Sequence, residues 1–384
     1  MDKIKEVIVF ANGDSSKLST WSNVPFFFTE TLLTKGIKVD RVNLGSGSIF
    51  KKIYNRILVP LLKIINKETT YEYVRSGMYH HETRRKIKKA INQYPDADAH
   101  IFLTFRFSSA GLTNKPIIQF CDWTYDHYFK YRLNRTPDFL EQRSIRREDS
   151  QIVGTDLIFP LFPSVSDYMK SRYINKEIYY LGNVINSLYE ASESDIDNKL
   201  HSYNLLFVGS IKYLDGAKTL IEAFTKLKPH YPAIVLNIIG ISNTELQDLP
   251  NDVFCHGYLD KGITAEMELY YKLFKESRIF INTTPKWGAF SACIEAMYFH
   301  TPVIVTPYDE FVKTFGKEIN FGSYCEQNDP TLIAEHIRKI FEDENYKTLC
   351  YNAHESVHEF TWSVYIDKII RKIEEKKRIG KAPL

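Results

Sequence analysis

Two stretches of this chain repeat one pattern, and it confines the chain to α/β architectures. A short β-branched run leads through a polar loop and a helix to a second such run. The first copy opens with Glu6 to Ala11 (E-V-I-V-F-A), then the polar loop Asn12-Gly13-Asp14-Ser15-Ser16, a helix from about Val24 to Lys35, and the strand Lys38 to Leu44. Strand, helix, strand in that order calls for parallel strands joined by crossover helices. Asn204 to Gly209 starts the pattern again, and helices and strands alternate from there on. At 384 residues, 44% of them hydrophobic, the chain is long enough for two such domains. Between them Glu190 to Ser202 is polar and reads as a linker.

The chemistry concentrates in Asn282 to Thr306, where one helix lies between the strands Arg278 to Thr283 and Pro302 to Thr306. The loop Thr284-Pro285-Lys286-Trp287-Gly288 sets the start of that helix. Cys293, Ile294, Ala296, Met297 and Phe299 form its apolar face. Unpaired N–H groups near Ala289 to Ala292 can hold a phosphate oxygen, and the Glu295 carboxylate can accept hydrogen bonds from vicinal hydroxyls such as those of a ribose. Phe290, Ser291, Ala292, Lys286, Trp287 and Glu295 are therefore expected in a nucleotide-sugar pocket. In the first half, the strand Pro116 to Cys121 runs into Asp122-Trp123-Thr124-Tyr125-Asp126-His127. Aromatic rings there suit stacking on sugars, while Asp and His can handle protons, which makes Asp122 the expected catalytic residue with Trp123 and His127 beside it. Asn12 and Gly13 sit at another strand's carboxyl end, where open α/β sheets bind ligands. Tyr258, in His256-Gly257-Tyr258, is a candidate to stack on the base.

The run W-G-A-F-S-A-C-I-E-A-M-Y-F-H-T-P-V-I-V resembles the donor-site motif of the retaining glycosyltransferases of family 4. The resemblance implies a GT-B fold, with two Rossmann-like parallel-sheet domains facing a cleft, and transfer of a sugar from a nucleotide-sugar donor to a glycan or lipid-linked acceptor. Two glutamates stand eight positions apart in that motif; here the second is Glu295 and the first position holds Trp287. L-L-F-V-G-S-I-K-Y-L-D-G resembles the family's first strand and helix of the nucleotide domain, which places Gly209 and Ser210 at the donor. Ser210 and Asp215 occupy the positions of the family's phosphate-binding Arg and Lys, so Lys212, Lys218 or Lys286 would have to supply the positive charge. Cys121-Asp122 is similar to an H-D pair, and F-T-W-S-V-Y-I-D-K-I-I to the closing helix that returns to the first domain. The implied division is residues 1–185 for an acceptor domain, 186–203 for a linker, 204–360 for a nucleotide-sugar domain and 361–384 for the returning helix. A nucleotide-sugar epimerase of the same fold and a non-catalytic binding subunit are the alternatives.

A net charge of +3 demands no nucleic-acid partner, and five scattered cysteines argue against a disulfide framework and point to a reducing cytosol. The D-x-D pairs Asp96/Asp98 and Asp195/Asp197 lack a preceding apolar strand, so neither a metal nor a cofactor is expected. Ser48 to Lys67 combines apolar residues with Lys51, Lys52, Arg56, Lys63 and Lys67 around Pro60. It reads either as a helix packed on the sheet or as an anchor on anionic lipid at the inner face of the membrane.

Overall fold

The computed structural model describes residues 3–47, 49–174, 176–284 and 290–379. The chain forms two compact units, Met1–Gly182 with Trp362–Leu384, and Asn183–Thr361.

The first unit is built on β1 (Glu6–Ala11), β2 (Lys38–Asn43), β3 (Ala99–Phe102), β4 (Ile117–Cys121), β5 (Leu157–Pro160) and β6 (Glu177–Ile178), in the order β2-β1-β3-β4-β5-β6, with every pairing parallel. Helices cover both faces of such a sheet, so its inner strands read as unbroken apolar runs; Val7 to Ala11 are all buried. The helix Trp362–Ile379 belongs to this unit. Trp362 packs on Phe28 and Phe120 at ring distances of 5.8 and 6.1 Å, and Lys35 pairs with Asp367 at 2.7 Å.

Two stretches of this unit depart from the sequence reading. A single helix expected from Thr70 to Tyr94 begins only at Gly77, where the Ser76 hydroxyl accepts from Tyr79 N–H. Of the preceding residues only Tyr73–Arg75 make a single 3-10 turn, and long-range acceptors hold this strap: Thr70 N–H donates to Glu141 Oε1 at 2.7 Å and Tyr73 N–H to Asn55 Oδ1 at 3.0 Å. Within the stretch read as Ser48 to Lys67, whose first residue lies outside the described ones, Ile49–Ile53, a π turn Tyr54–Leu58 and Val59–Ile65 follow one another, and none of them contains a buried residue. The π turn precedes Pro60, whose missing N–H breaks the regular ladder. The expectation of a helix burying its apolar face on the sheet is overturned.

The second unit is built on β7 (Asn204–Val208), β8 (Val235–Ile239), β9 (Val253–Cys255), β10 (Ile279–Asn282), β11 (Val303–Val305) and β12 (Gly322–Tyr324), also parallel, in the order β12-β11-β10-β7-β8-β9. The stretch read as a polar linker contains a helix, Ser194–Leu200, inside this unit. It is anchored because Ile196 joins the core and Lys199, fully buried, donates to Phe274 O (2.8 Å), Ser277 O (3.3 Å) and Thr301 Oγ1 (2.9 Å). Burial pushes the Lys199 ammonium down to about 7 from 10.5. Between those values the unfolded chain holds a proton that the native unit has released, so stability rises with pH through that window, by at most about 1.4 kcal/mol per pH unit. Denaturant unfolding across this range should show the rise in the native protein and its loss in Lys199→Met.

Candidate functional site

In an open parallel sheet, strands that neighbour each other but leave in opposite crossover directions open a crevice at their carboxyl ends. In the second unit that point lies between β7 and β10. A cavity of about 190 Å³ sits there, walled by Gly209 after β7, Asn282 at the end of β10, Tyr213, Tyr308, and Ser291 with Ala292 at the start of the helix Ser291–Tyr298. Glycines bring the backbone close at this point. A Cβ on Gly240 would lie 2.6 Å from the Gly209 carbonyl oxygen, and one on Gly216 would lie 2.1 Å from Thr284 Oγ1. The helix Leu214–Leu227 can therefore begin hard against the loop leaving β10. The N-cap of the helix Ser291–Tyr298 is Phe290, whose side chain offers no acceptor, so the first N–H groups receive no cap from it. An anion suits that position, because these N–H groups and the helix dipole both favour negative charge. Phe290 is itself buried against Tyr308 and Phe311, which fixes where the helix starts.

Glu295 lies on the buried side of the same helix. Its Oε1 pairs with Lys261 Nζ at 2.7 Å and its Oε2 accepts from Tyr270 OH at 2.9 Å; Lys261 also donates to Asn186 O at 2.9 Å. Burial, and the carboxylate beside it, push the Tyr270 phenol well up, so it stays a donor. Both carboxylate oxygens thus have partners, and Glu295, buried behind them, is not on this cavity's wall. Ser210 and Lys212 follow Gly209, both exposed. Tyr258 is 76% exposed and away from this cavity's wall, because β9 is the edge strand, separated from the crevice by β8. His256 bonds Asn237 Oδ1 at 2.9 Å. Lys286 and Trp287 lie outside the described residues.

In the first unit the reversal falls between β1 and β3, and a cavity of about 540 Å³ opens there. Asn12, Arg106, Asp122, Trp123, Arg75 and Glu148 are on its wall. Asp122 Oδ1 accepts from Trp123 N–H at 2.8 Å and from the Cys121 thiol at 3.3 Å. Burial raises its carboxyl above the usual aspartate range, the direction that suits a group exchanging a proton near neutrality. Glu148, buried, accepts from Tyr125 N–H and pairs with Arg75 at 3.3 Å, while the Arg75 guanidinium covers the Tyr125 ring at 3.6 Å. Gly13, at φ +116°, is tied to Asn43 Oδ1 and does not reach the wall. His127 is shut in among Trp123, Tyr131 and Tyr168 and is off the wall as well; its ring stacks on Tyr131 at 4.4 Å.

Sequence reading missed Lys261, Tyr270, Arg75, Arg106 and Glu148. No local signal marks them: Lys261 precedes Glu295 by 34 positions, and Arg75 meets Glu148 across 73.

No protein with a curated description matches the sequence. Among solved structures, HepE of Anabaena in complex with UDP and glucose is similar, with a TM-score of 0.58, 13% identity and coverage of 99% of this chain and 100% of that one. Sucrose-phosphate synthase from Thermosynechococcus elongatus has a TM-score of 0.62, 15% identity and coverage of 97% and 100%. A glycosyltransferase from Rickettsia africae has 0.61, 15% and complete coverage of both chains. At such identities the likeness establishes the fold. The chain has the GT-B fold, and its residues 190–356 match the family described as glycosyl transferases group 1.

Proposed function

We propose that this protein is a glycosyltransferase that moves a sugar from a nucleotide-sugar donor to a glycan or lipid-linked acceptor. The observation that carries the reading is the second unit's cavity. It combines a sheet reversal point, glycine-permitted backbone approach and a helix start that the Phe290 side chain does not cap, and it lies within the residues that match glycosyl transferases group 1. The fold neighbour HepE binds UDP and UDP-glucose, which supports a donor of that kind. In this reading the N–H groups of Ser291 and Ala292 take a donor phosphate and Glu295 takes the ribose. A lysine near the pocket, Lys286 or Lys212, supplies positive charge, and no resident metal or cofactor takes part. The acceptor occupies the first unit's cavity beside Asp122.

Two stereochemical courses give Asp122 different work. In an inverting transfer it removes the proton from the attacking acceptor hydroxyl. In a retaining transfer, which the family 4 resemblance implies, it positions that hydroxyl. The anomeric configuration of the first-formed product distinguishes them.

Ser210 and Asp215, where a cation would serve the phosphates, favour a second reading, a binding subunit without turnover. Calorimetric titration with UDP, GDP, UMP and CMP at low and physiological salt, beside a donor-hydrolysis assay, separates the two. The enzyme reading expects nucleotide binding that weakens with salt, because a partly exposed lysine–phosphate contact is screened, together with turnover that survives a metal chelator. Binding without turnover on any donor supports the subunit. Absence of nucleotide binding removes both.

A further inference from the structure

The first unit carries a helical segment whose outer surface is left exposed among the described residues. Along Ile49 to Ile65 the half-buried positions Tyr54, Asn55, Val59 and Leu62 face inward, and Tyr54 packs on Tyr73 at 5.4 Å. Phe50, Ile53, Ile57, Leu61 and Ile64 recur at three- and four-residue spacing, so they share one face, and all are exposed; Ile64 is 77% and Ile65 84% exposed. Lys52, Arg56, Lys63 and Lys67 recur at spacings of four and seven along the flank of that face, and no acidic residue occurs from Ile49 to Lys67. Scattered apolar residues on a surface need no explanation, but a continuous stripe does.

We infer that this segment lies in the interface of an anionic bilayer, with its apolar stripe in the acyl boundary and its basic flank against lipid headgroups. Charge complementarity selects this occupant. A stripe bordered only by cations suits a negatively charged surface, and a second copy of the same segment would bring like charges together. The segment is also held rigidly to its unit, as an anchor must be. Asn55 fixes Tyr73 N–H at 3.0 Å, and Asn66 and Thr69 both bond Asp138 Oδ2, at 3.2 and 2.7 Å. The strap that follows, from Thr70 to Arg75, supplies Thr70, Glu72, Val74 and Arg75 to the wall of the first unit's cavity. An anchored helix therefore holds that cavity at the membrane, where a lipid-linked acceptor resides. Lipid binding itself does not depend on the glycosyltransferase reading; its value for the acceptor does.

The test is co-sedimentation of the full chain, without donor, with vesicles of phosphatidylcholine alone and of phosphatidylcholine mixed with phosphatidylglycerol. The anionic vesicles should bind the protein and the neutral ones far less, with binding falling as salt rises. Removing one basic side chain, as in Arg56→Ser, should lower partitioning about fivefold. Ile57→Glu with Leu61→Glu should lower it about tenfold or more, with an unchanged melting temperature because both sites are exposed. Failure of the wild type to bind anionic vesicles overturns the inference, as does binding indifferent to the Ile57/Leu61 change. A concentration-dependent dimer dissolved by that change, without vesicle binding, also overturns it and assigns the face to a second copy. Nucleotide titration of the same protein keeps failure here separate from failure of the proposed reaction.

Discussion

Replacing Glu295 with alanine is expected to cost the second unit about 3 to 5 kcal/mol, as well as nucleotide affinity. The Lys261 side chain is only 9% exposed and meets Glu295 at 2.7 Å. Without the carboxylate, a buried ammonium keeps Asn186 O as its partner but loses its counter-charge, and Tyr270 OH loses its acceptor. Glu295→Gln should cost less, because an amide oxygen can still take one of the two bonds. Lys261→Met combined with Glu295→Ala should regain part of the loss, since removing both charges leaves neither unpaired. Denaturant unfolding of wild type, Glu295→Ala, Lys261→Met and the double variant gives the cycle. Equal stability of Glu295→Ala and wild type would mean that the pair is not closed in solution. Nucleotide titration of Glu295→Gln, the gentler variant, then tests the ribose contact apart from folding.

If the transfer inverts, Asp122→Asn is expected to lower turnover by about 10² to 10⁴ while leaving nucleotide affinity unchanged, because a proton acceptor acts in the transition state and not in donor binding. The wild-type rate should also carry the group's signature. Burial raises the Asp122 carboxyl, so as pH falls the base is lost earlier than an ordinary aspartate would be. The acid limb of kcat/KM should lie at correspondingly higher pH and vanish in the variant. Wild-type turnover in Asp122→Asn would return the residue to a structural role at the Cys121–Trp123 bend, where its Oδ1 accepts from both neighbours.

Local chemistry made much of this protein legible. The opening strand was read as Glu6 to Ala11 and stands as Glu6–Ala11, because β-branched runs between polar loops have few other uses. The parallel α/β class follows from alternation alone, and the helix between the strands Arg278 to Thr283 and Pro302 to Thr306 was marked by its apolar face, of which Cys293, Ile294, Ala296, Met297 and Phe299 are all buried. The linker reading failed because polarity in sequence says nothing of partners: Lys199 is buried on acceptors from Phe274 to Thr301. The long helix from Thr70 was cut short by Glu141 and Asn55, acceptors that only the folded chain brings near. Tyr258 and His127 looked equally apt in sequence, yet strand order sets one at a sheet edge and ring packing encloses the other. Sequence thus determined which residue types could do the chemistry and on which kind of element they stand. Tertiary structure decided which of them meet, because the Lys261–Glu295 pair and the Arg75–Glu148 pair are set by sheet order and burial over separations no local pattern spans.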